Sequence, residues 1–194
     1  APYAEALSFG TGSLTNNVFL SLSDNAALRP YLDIVDESGH STSVSSDMLL
    51  DADTWYHIAV VLEDTTASLY INGDLHGTQT GMNVPIGVIR TSNRLGLSDL
   101  GDSSHHTVPG KLSDVRIWDT ARVQSDIQND MNRRLAGTET GLFAYWPMNT
   151  GSGTMVYDLT RKGLNGSFAG DVSWSEDSPD LSTSADFTDE GILK

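Results

Sequence analysis

No cysteine occurs among the 194 residues, so a disulfide framework and a thiolate zinc site are both excluded. Basic side chains are scarce: 11 Lys and Arg stand against 26 Asp and Glu, a formal net charge of −15. So anionic a surface cannot displace the counterions of a phosphate backbone, which excludes nucleic acid as a partner. It also disfavours adsorption to anionic lipid. Such a charge suits solubility in saline surroundings and the attraction of divalent cations. No apolar run approaches bilayer length, so membrane insertion is not expected. The opening residues 1–5 (A-P-Y-A-E) have neither the basic nor the apolar region of a signal peptide. They read as the start of a module taken from a longer polypeptide. A chain of this length fits one domain with a sizeable core, or one domain and a tail.

Helical periodicity is nearly absent too; period two dominates. Residues 55–62 (W-Y-H-I-A-V-V-L) form a β-branched and aromatic run with large side chains on both faces, as in a strand buried within a two-sheet sandwich. Turn chemistry interrupts at residues 63–66, a strand resumes over residues 67–71, and Asn72-Gly73 then supplies the pair best suited to a type I′ hairpin. Further short strands are expected over residues 17–22, 31–35, 94–97, 111–118 and 142–146, with another near residues 156–157. The 18 glycines and many serines punctuate them. Short strands with regular turn signals indicate a sandwich or barrel rather than an α/β fold. One segment departs from this. Val123, Ile127, Met131 and Leu135 recur every four positions, which predicts an amphipathic helix over about residues 121–135. Asp119 or Thr120 would cap it, Arg133-Arg134 would suit its C-terminal end, and Gly137 would stop it.

Three stretches, taken in order, resemble the laminin-G-like, pentraxin-like branch of the concanavalin A-like jelly-roll superfamily. Residues 53–62 (D-T-W-Y-H-I-A-V-V-L) with residues 69–75 (L-Y-I-N-G-D-L) resemble its W-x-H-(V/I)-A hairpin. Residues 110–122 (G-K-L-S-D-V-R-I-W-D-T-A-R) are similar to its D-(D/E)-V-R-(I/V)-(W/Y) segment. Residues 142–160 with residues 164–167 resemble its Y-W-x-(F/M)-(D/N)-x-G-x-G closure. The resemblance implies an all-β, two-sheet antiparallel jelly-roll sandwich with one short α-helix, in a secreted or cell-surface protein. It would occupy residues 1–175, with residues 176–194 as an acidic tail or linker. The family's usual opening strands, including one like F-T-(I/L)-E-A-W, have no counterpart here. Either residues 6–22 stand for a later strand of the family or they open the domain with a deletion further on. Missing strands would leave ladder edges exposed. Another chain or another segment could then complete the sheet.

For function, the resemblance implies a non-catalytic binding or adhesion module recognising carbohydrate, with calcium as a candidate cofactor. Relatives hold a structural calcium in the loop that corresponds to residues 158–165 (D-L-T-R-K-G-L-N), which makes Asp158 and Asn165 the candidate metal ligands. The competing reading is a plain turn in which Asp158 caps backbone amides. In residues 98–106, Asp99, Asp102, His105 and His106 are candidates for contacting sugar hydroxyls or a cation, although adjacent histidines on an extended chain point apart. Trp55, Trp118 and Trp146 are expected to pack in the core rather than stack on sugars. Glucanases of this sandwich class carry their close carboxylate pair as E-x-D-x-x-E along one strand. Nothing in the chain matches it, and no serine elbow is present, so an enzyme is not expected.

Overall fold

The computed structural model describes residues 4–24, 27–97 and 108–183. It is an all-β antiparallel jelly-roll sandwich with one helix. The chain divides into two compact units, residues 1–111 and 112–194.

The first unit carries strands β1 (Glu5–Gly10), β2 (Asn17–Ser21), β3 (Tyr31–Val35), β4 (Ser41–Ser45), β5 (Ile58–Glu63), β6 (Thr66–Ile71), β7 (Asp74–Thr80) and β8 (Ser92–Leu95). Five of them form one sheet in the order β4-β3-β2-β1-β8, and the other three form a meander, β5-β6-β7. Alternation decides which face is buried. In β3, Leu32 and Ile34 point inward between half-buried neighbours, and in β6 Ala67, Leu69 and Ile71 do the same. These residues, with Val44 of β4 and Met82, make one core from both sheets. Val18, Val60 and Leu62 pack around it.

Turn chemistry sets the register. Asn72 and Gly73 have φ of 50° and 83°, the two left-handed positions of a type I′ turn, and the pairing Ile71↔Asp74 closes on them as expected. Gly77 is required for a different reason. A Cβ there would lie 2.4 Å from the Ser45 carbonyl oxygen, so any side chain would push β7 away from β4. The amide of Asp47 donates to the His76 carbonyl at 2.8 Å across the same corner.

Strand β4 escaped the sequence reading. Its S-T-S-V-S is polar and largely exposed, and only Val44 carries the inward signal.

The second unit contains β9 (Val115–Trp118), α1 (Gln124–Asp130), β10 (Arg133–Arg134), β11 (Leu142–Trp146), β12 (Met155–Val156), β13 (Gly166–Ser167) and β14 (Ser182–Thr183). Its pairings are β9 with β11 and β12 with β13, both antiparallel, and β10 with β14, parallel. Leu135, Leu142 and Tyr145 form its buried cluster, with Trp118 packed against it.

The helix is shorter than its four-residue stripe suggested. Val123 sits at the N-cap without a capping side chain and is 62% exposed, whereas Ile127 is buried. Neither Asp119 nor Thr120 caps it, because the N-cap position falls at Val123, three residues past Thr120. Arg133-Arg134 do not end the helix. They form β10, because pairing with Ser182–Thr183 offers their backbone a ladder in place of another helical turn. Gly137 lies beyond that strand with φ of 84°, and a Cβ there would meet the Leu159 carbonyl oxygen at 2.6 Å.

Candidate functional site

Two clusters in the second unit hold the polar chemistry that the structure describes. The first surrounds the end of β9, where the sequence runs V-R-I-W-D-T-A-R into α1. Alternation sends Arg116 and Trp118 to one side of the β9 ladder, and α1 follows after a short connection. Asp126 and Asp130, four apart, share one side of the short helix, and Arg122, just ahead of the N-cap Val123, pairs with both.

Asp130 is the centre of this group. It is buried, and its Oδ1 accepts from the guanidinium of Arg133 at 2.6 and 3.0 Å, while its Oδ2 accepts from Arg122. Arg116 ties the layer beneath. It donates to the backbone carbonyl of Asp130 at 2.8 Å and to that of Arg133 at 2.5 Å, and it pairs with Asp114. Tyr145, fully buried, donates its hydroxyl to Asp114 at 2.8 Å. Burial raises the Asp114 carboxyl above the usual carboxylate range, against the opposing charge of Arg116. Burial, and then the Asp114 carboxylate, pushes the Tyr145 hydroxyl up to about 12. A proton therefore stays on Tyr145 throughout the physiological range, and Tyr145 acts as a fixed donor.

Beside these groups lies a shallow, open depression of about 410 Å³. Trp118 supplies its aromatic wall, and the Arg122 guanidinium stacks over the indole at 4.0 Å. Asp126, Asn129 and Thr140 offer hydrogen-bonding groups around the opening. Glu139 also lines it, with its carboxylate turned into the backbone: Ala136 and Gly137 amides donate to it at 2.8 and 2.9 Å. Burial alone would raise the Glu139 carboxyl, but those amides outweigh it and hold the group below the usual carboxylate range. With Arg122 lying over one indole face, the site combines what remains exposed of the half-buried Trp118 ring with polar and charged groups around it. That combination suits a polyol ring, which has both kinds of surface.

The second cluster is the turn after β11. Asp158 and Asn165, the two residues singled out for calcium, do meet: Asn165 Oδ1 accepts the Asp158 amide at 2.9 Å. The Asp158 carboxylate is buried, and donors converge on it from the Tyr145 amide at 3.2 Å, the Thr160 amide at 3.0 Å, the Thr160 hydroxyl at 2.8 Å and the Leu164 amide at 3.3 Å. Burial raises the Asp158 carboxyl, but the Thr160 hydroxyl and these amides outweigh that and hold it below the usual range. Calcium needs six to eight oxygen ligands. Here the oxygens of both residues face N–H and O–H donors, and Lys162 beside them donates to the Leu142 carbonyl at 3.1 Å. Among the described residues, no three His, Asp or Glu side chains converge. The donor set fits a carboxylate that caps a turn and does not fit a hard cation.

Asp99, Asp102, His105 and His106 lie outside the described residues. The tryptophans are less enclosed than a core role implies, for all four are only half-buried. Trp146 donates to the Leu164 carbonyl at 2.7 Å, and Trp174 to the Gly153 carbonyl at 2.8 Å while lying 5.0 Å from the Phe168 ring. The Trp118 pocket went unnoticed in the sequence. A signal for it exists in the four-residue spacing of Arg122, Asp126 and Asp130 just after a strand-ending tryptophan.

An antiparallel β-sandwich with one short helix defines a jelly-roll domain in architecture. The family comparison makes this specific: the chain belongs to the concanavalin A-like lectin/glucanases superfamily, whose model matches residues 2–128. Among solved structures, the chain is similar to a proposed carbohydrate binding protein from Bacteroides ovatus, with a TM-score of 0.63 and 20% identity. That match covers 84% of this chain and 50% of the other, so the chain spans half the length of that relative. It is also similar to an S-layer domain-containing protein from Clostridium thermocellum, at a TM-score of 0.39 and 23% identity, covering 66% of this chain and 62% of that one. No curated protein matches significantly.

Proposed function

We propose that the chain is a non-catalytic carbohydrate-binding module of a secreted or surface protein, and that it takes a neutral glycan in the Trp118 pocket. The single observation that carries this reading is the pocket itself, where the Arg122-covered Trp118 lies beside hydrogen-bonding groups in a member of the concanavalin A-like lectin/glucanases superfamily. The proposed carbohydrate binding protein of the same fold supports it. The pocket's charges favour a neutral ligand, since Arg122 and Arg133 are already paired with Asp130. Binding rather than turnover follows from the state of its carboxylates. Asp130 is engaged by two guanidinium groups, and the Glu139 carboxylate is turned onto backbone amides that hold it below the usual carboxylate range, so both are committed to structural partners. A surface location agrees with the acidic balance of the chain, and among the described residues no helix is long and apolar enough to cross a membrane. Calcium stays in the proposal only as an ion such an acidic chain attracts.

A glycan array probed with and without EDTA tests the reading. Binding of a neutral glycan that Trp118→Ala weakens about tenfold supports it, since the change removes the ring that holds Arg122 in place and lines the pocket, and tenfold is about 1.4 kcal/mol. An array with no binder in either condition, or a binder indifferent to Trp118→Ala, overturns it. Loss of binding in EDTA would bring calcium into the site.

A further inference from the structure

The first unit has four sheet edges, and one of them is built unlike the rest. Strand β4 at one edge is S-T-S-V-S, mostly exposed and polar. Strand β8 at the opposite edge of that sheet is S-N-R-L. Strand β7 ends the three-stranded sheet with D-L-H-G-T-Q-T. It is bulged at His76, where Leu69↔Gly77 is followed by Tyr70↔Leu75, and its His76 carbonyl accepts the Asp47 amide. Polar residues, bulges and covering segments are the usual means by which an edge is kept from pairing with another chain. Among the described residues, strand β5 has no bulge and no covering strand, and its only charged residue is the terminal Glu63. It reads I-A-V-V-L before Glu63, its register against β6 is unbroken, and every residue from 58 to 62 is half-buried on both faces. Among the described residues no strand pairs with its outer side.

Its hydrogen-bonding groups can be placed. The Asn72 amide donates to the His57 carbonyl, so the bonded pairs with β6 are His57↔Asn72, Ala59↔Tyr70, Val61↔Ser68 and Glu63↔Thr66. The N–H and C=O groups of Ile58, Val60 and Leu62 therefore point away from β6, along the open edge. The side chains of Val60 and Leu62 meanwhile reach the core beside Leu69 and Ala67, which are fully buried.

We propose that this edge pairs with the same edge of a second copy of the chain, antiparallel, about a two-fold axis at Val60. The stretch is self-complementary. Val60 would exchange bonds with Val60, and Ile58 with Leu62, for about six hydrogen bonds in all. Ala59 would face Val61 on the outer side, and Glu63 would stand opposite His57, a carboxylate beside an imidazole. Two three-stranded sheets would join into one whose ends are both the polar, bulged β7, so the assembly closes at two copies instead of growing. The charge of −15 on each copy opposes association, which makes salt favour the dimer. The pairing does not depend on the glycan reading, because β5 belongs to the first unit and the Trp118 pocket to the second.

Light scattering on the full chain across a concentration series tests it, with amide hydrogen exchange as the residue-level readout. The expected result is twice the monomer mass at high concentration, more so as salt rises, with protection at Ile58, Val60 and Leu62 that falls on dilution. Protection at Ala59 and Val61, which bond to β6, should stay. Val60→Pro removes an outward N–H and leaves the bonds to β6, so the dimer weakens about a hundredfold or more; it also changes the side chain that packs on the core, so circular dichroism must show the variant folded. Val61→Lys leaves the backbone whole and places a charge on the outer face, with the same direction of effect. A monomer at every concentration overturns the proposal: fast exchange at Ile58, Val60 and Leu62 would then assign the edge to a strand from another polypeptide, and uniform protection would show it already covered. A dimer that survives both substitutions overturns it equally.

Discussion

The two units are held by different forces. In the first, two sheets bring Leu32, Ile34 and Val44 against Ala67, Leu69 and Ile71, and the stabilisation is mainly apolar burial. In the second, the described strands are short and the apolar cluster is small, and carboxylates organise the backbone instead. Asp114, Asp130, Glu139 and Asp158 each gather guanidinium groups, amides or hydroxyls around them. The difference teaches where chemistry can reside. An apolar core is indifferent to ligands, whereas a layer of oriented donors and acceptors can turn some of them outward, as the Trp118 pocket does.

Substitutions can break this contrast, and the largest effect belongs to the first unit. Leu69→Ala should cost about 2–5 kcal/mol, because the residue is fully enclosed and a cavity would remain. Denaturant unfolding monitored by circular dichroism reads it. A cost below about 1 kcal/mol would show that the two sheets do not depend on that contact. In the second unit, Asp130→Ala should cost about 2–3 kcal/mol. It strands two cations, but Arg122 and Arg133 keep side-chain exposures of 21% and 33% and can recover water, so the effect stays below that of a fully buried pair. The same variant should disorder the pocket and abolish glycan binding, which Leu69→Ala should leave intact at temperatures where that variant is folded.

The smallest effect sharpens the contrast through pH. Asp158 and Glu139 both titrate below their ordinary range in the folded chain, so their contribution is fully present above the unfolded pKa values of about 4 and is lost as pH falls through the folded ones. Asp114 shifts the other way and takes up its proton earlier on acidification. Acid should therefore loosen the second unit through Asp158 and Glu139, while the apolar contacts of the first carry no such dependence. Asp158→Asn, which keeps the shape but has no acid to protonate, should lower stability at neutral pH by about 1 kcal/mol and flatten the decline below about pH 4. Thermal melts at several pH values check it; an unchanged slope would remove Asp158 from the account.

Much of the first unit was legible from residue order alone. Most of the expected strand of residues 55–62, which the structure begins at Ile58, the Asn72-Gly73 turn and the alternation in β3 and β6 announce themselves locally, because each depends on period-two burial or on the φ a residue tolerates. Strand β4 was not legible, for four of its five residues are serine or threonine and its place comes from pairing with β3. The helix was overread. Its stripe continued through Met131 to Leu135, yet the ladder between Arg133–Arg134 and Ser182–Thr183 ended it, an event set by residues about fifty positions away.

What the residues determined by themselves is the class of the molecule: an acidic, cysteine-free chain of short alternating strands, with three ordered motifs that place it among the jelly-roll sandwiches. Strand patterning is a local property, and it survives without knowledge of neighbours. The tertiary structure alone decided which polar groups became a site. Trp118, Arg122 and Asp130 meet Glu139 and Thr140 only because β9 pairs with β11 and the chain turns back at Gly141, where φ is 81° and a Cβ would strike the Thr120 hydroxyl. It also decided that Asp158 and Asn165 face amides. The direction from which donors approach a carboxylate is set by the fold around it, and no spacing along the chain records that direction.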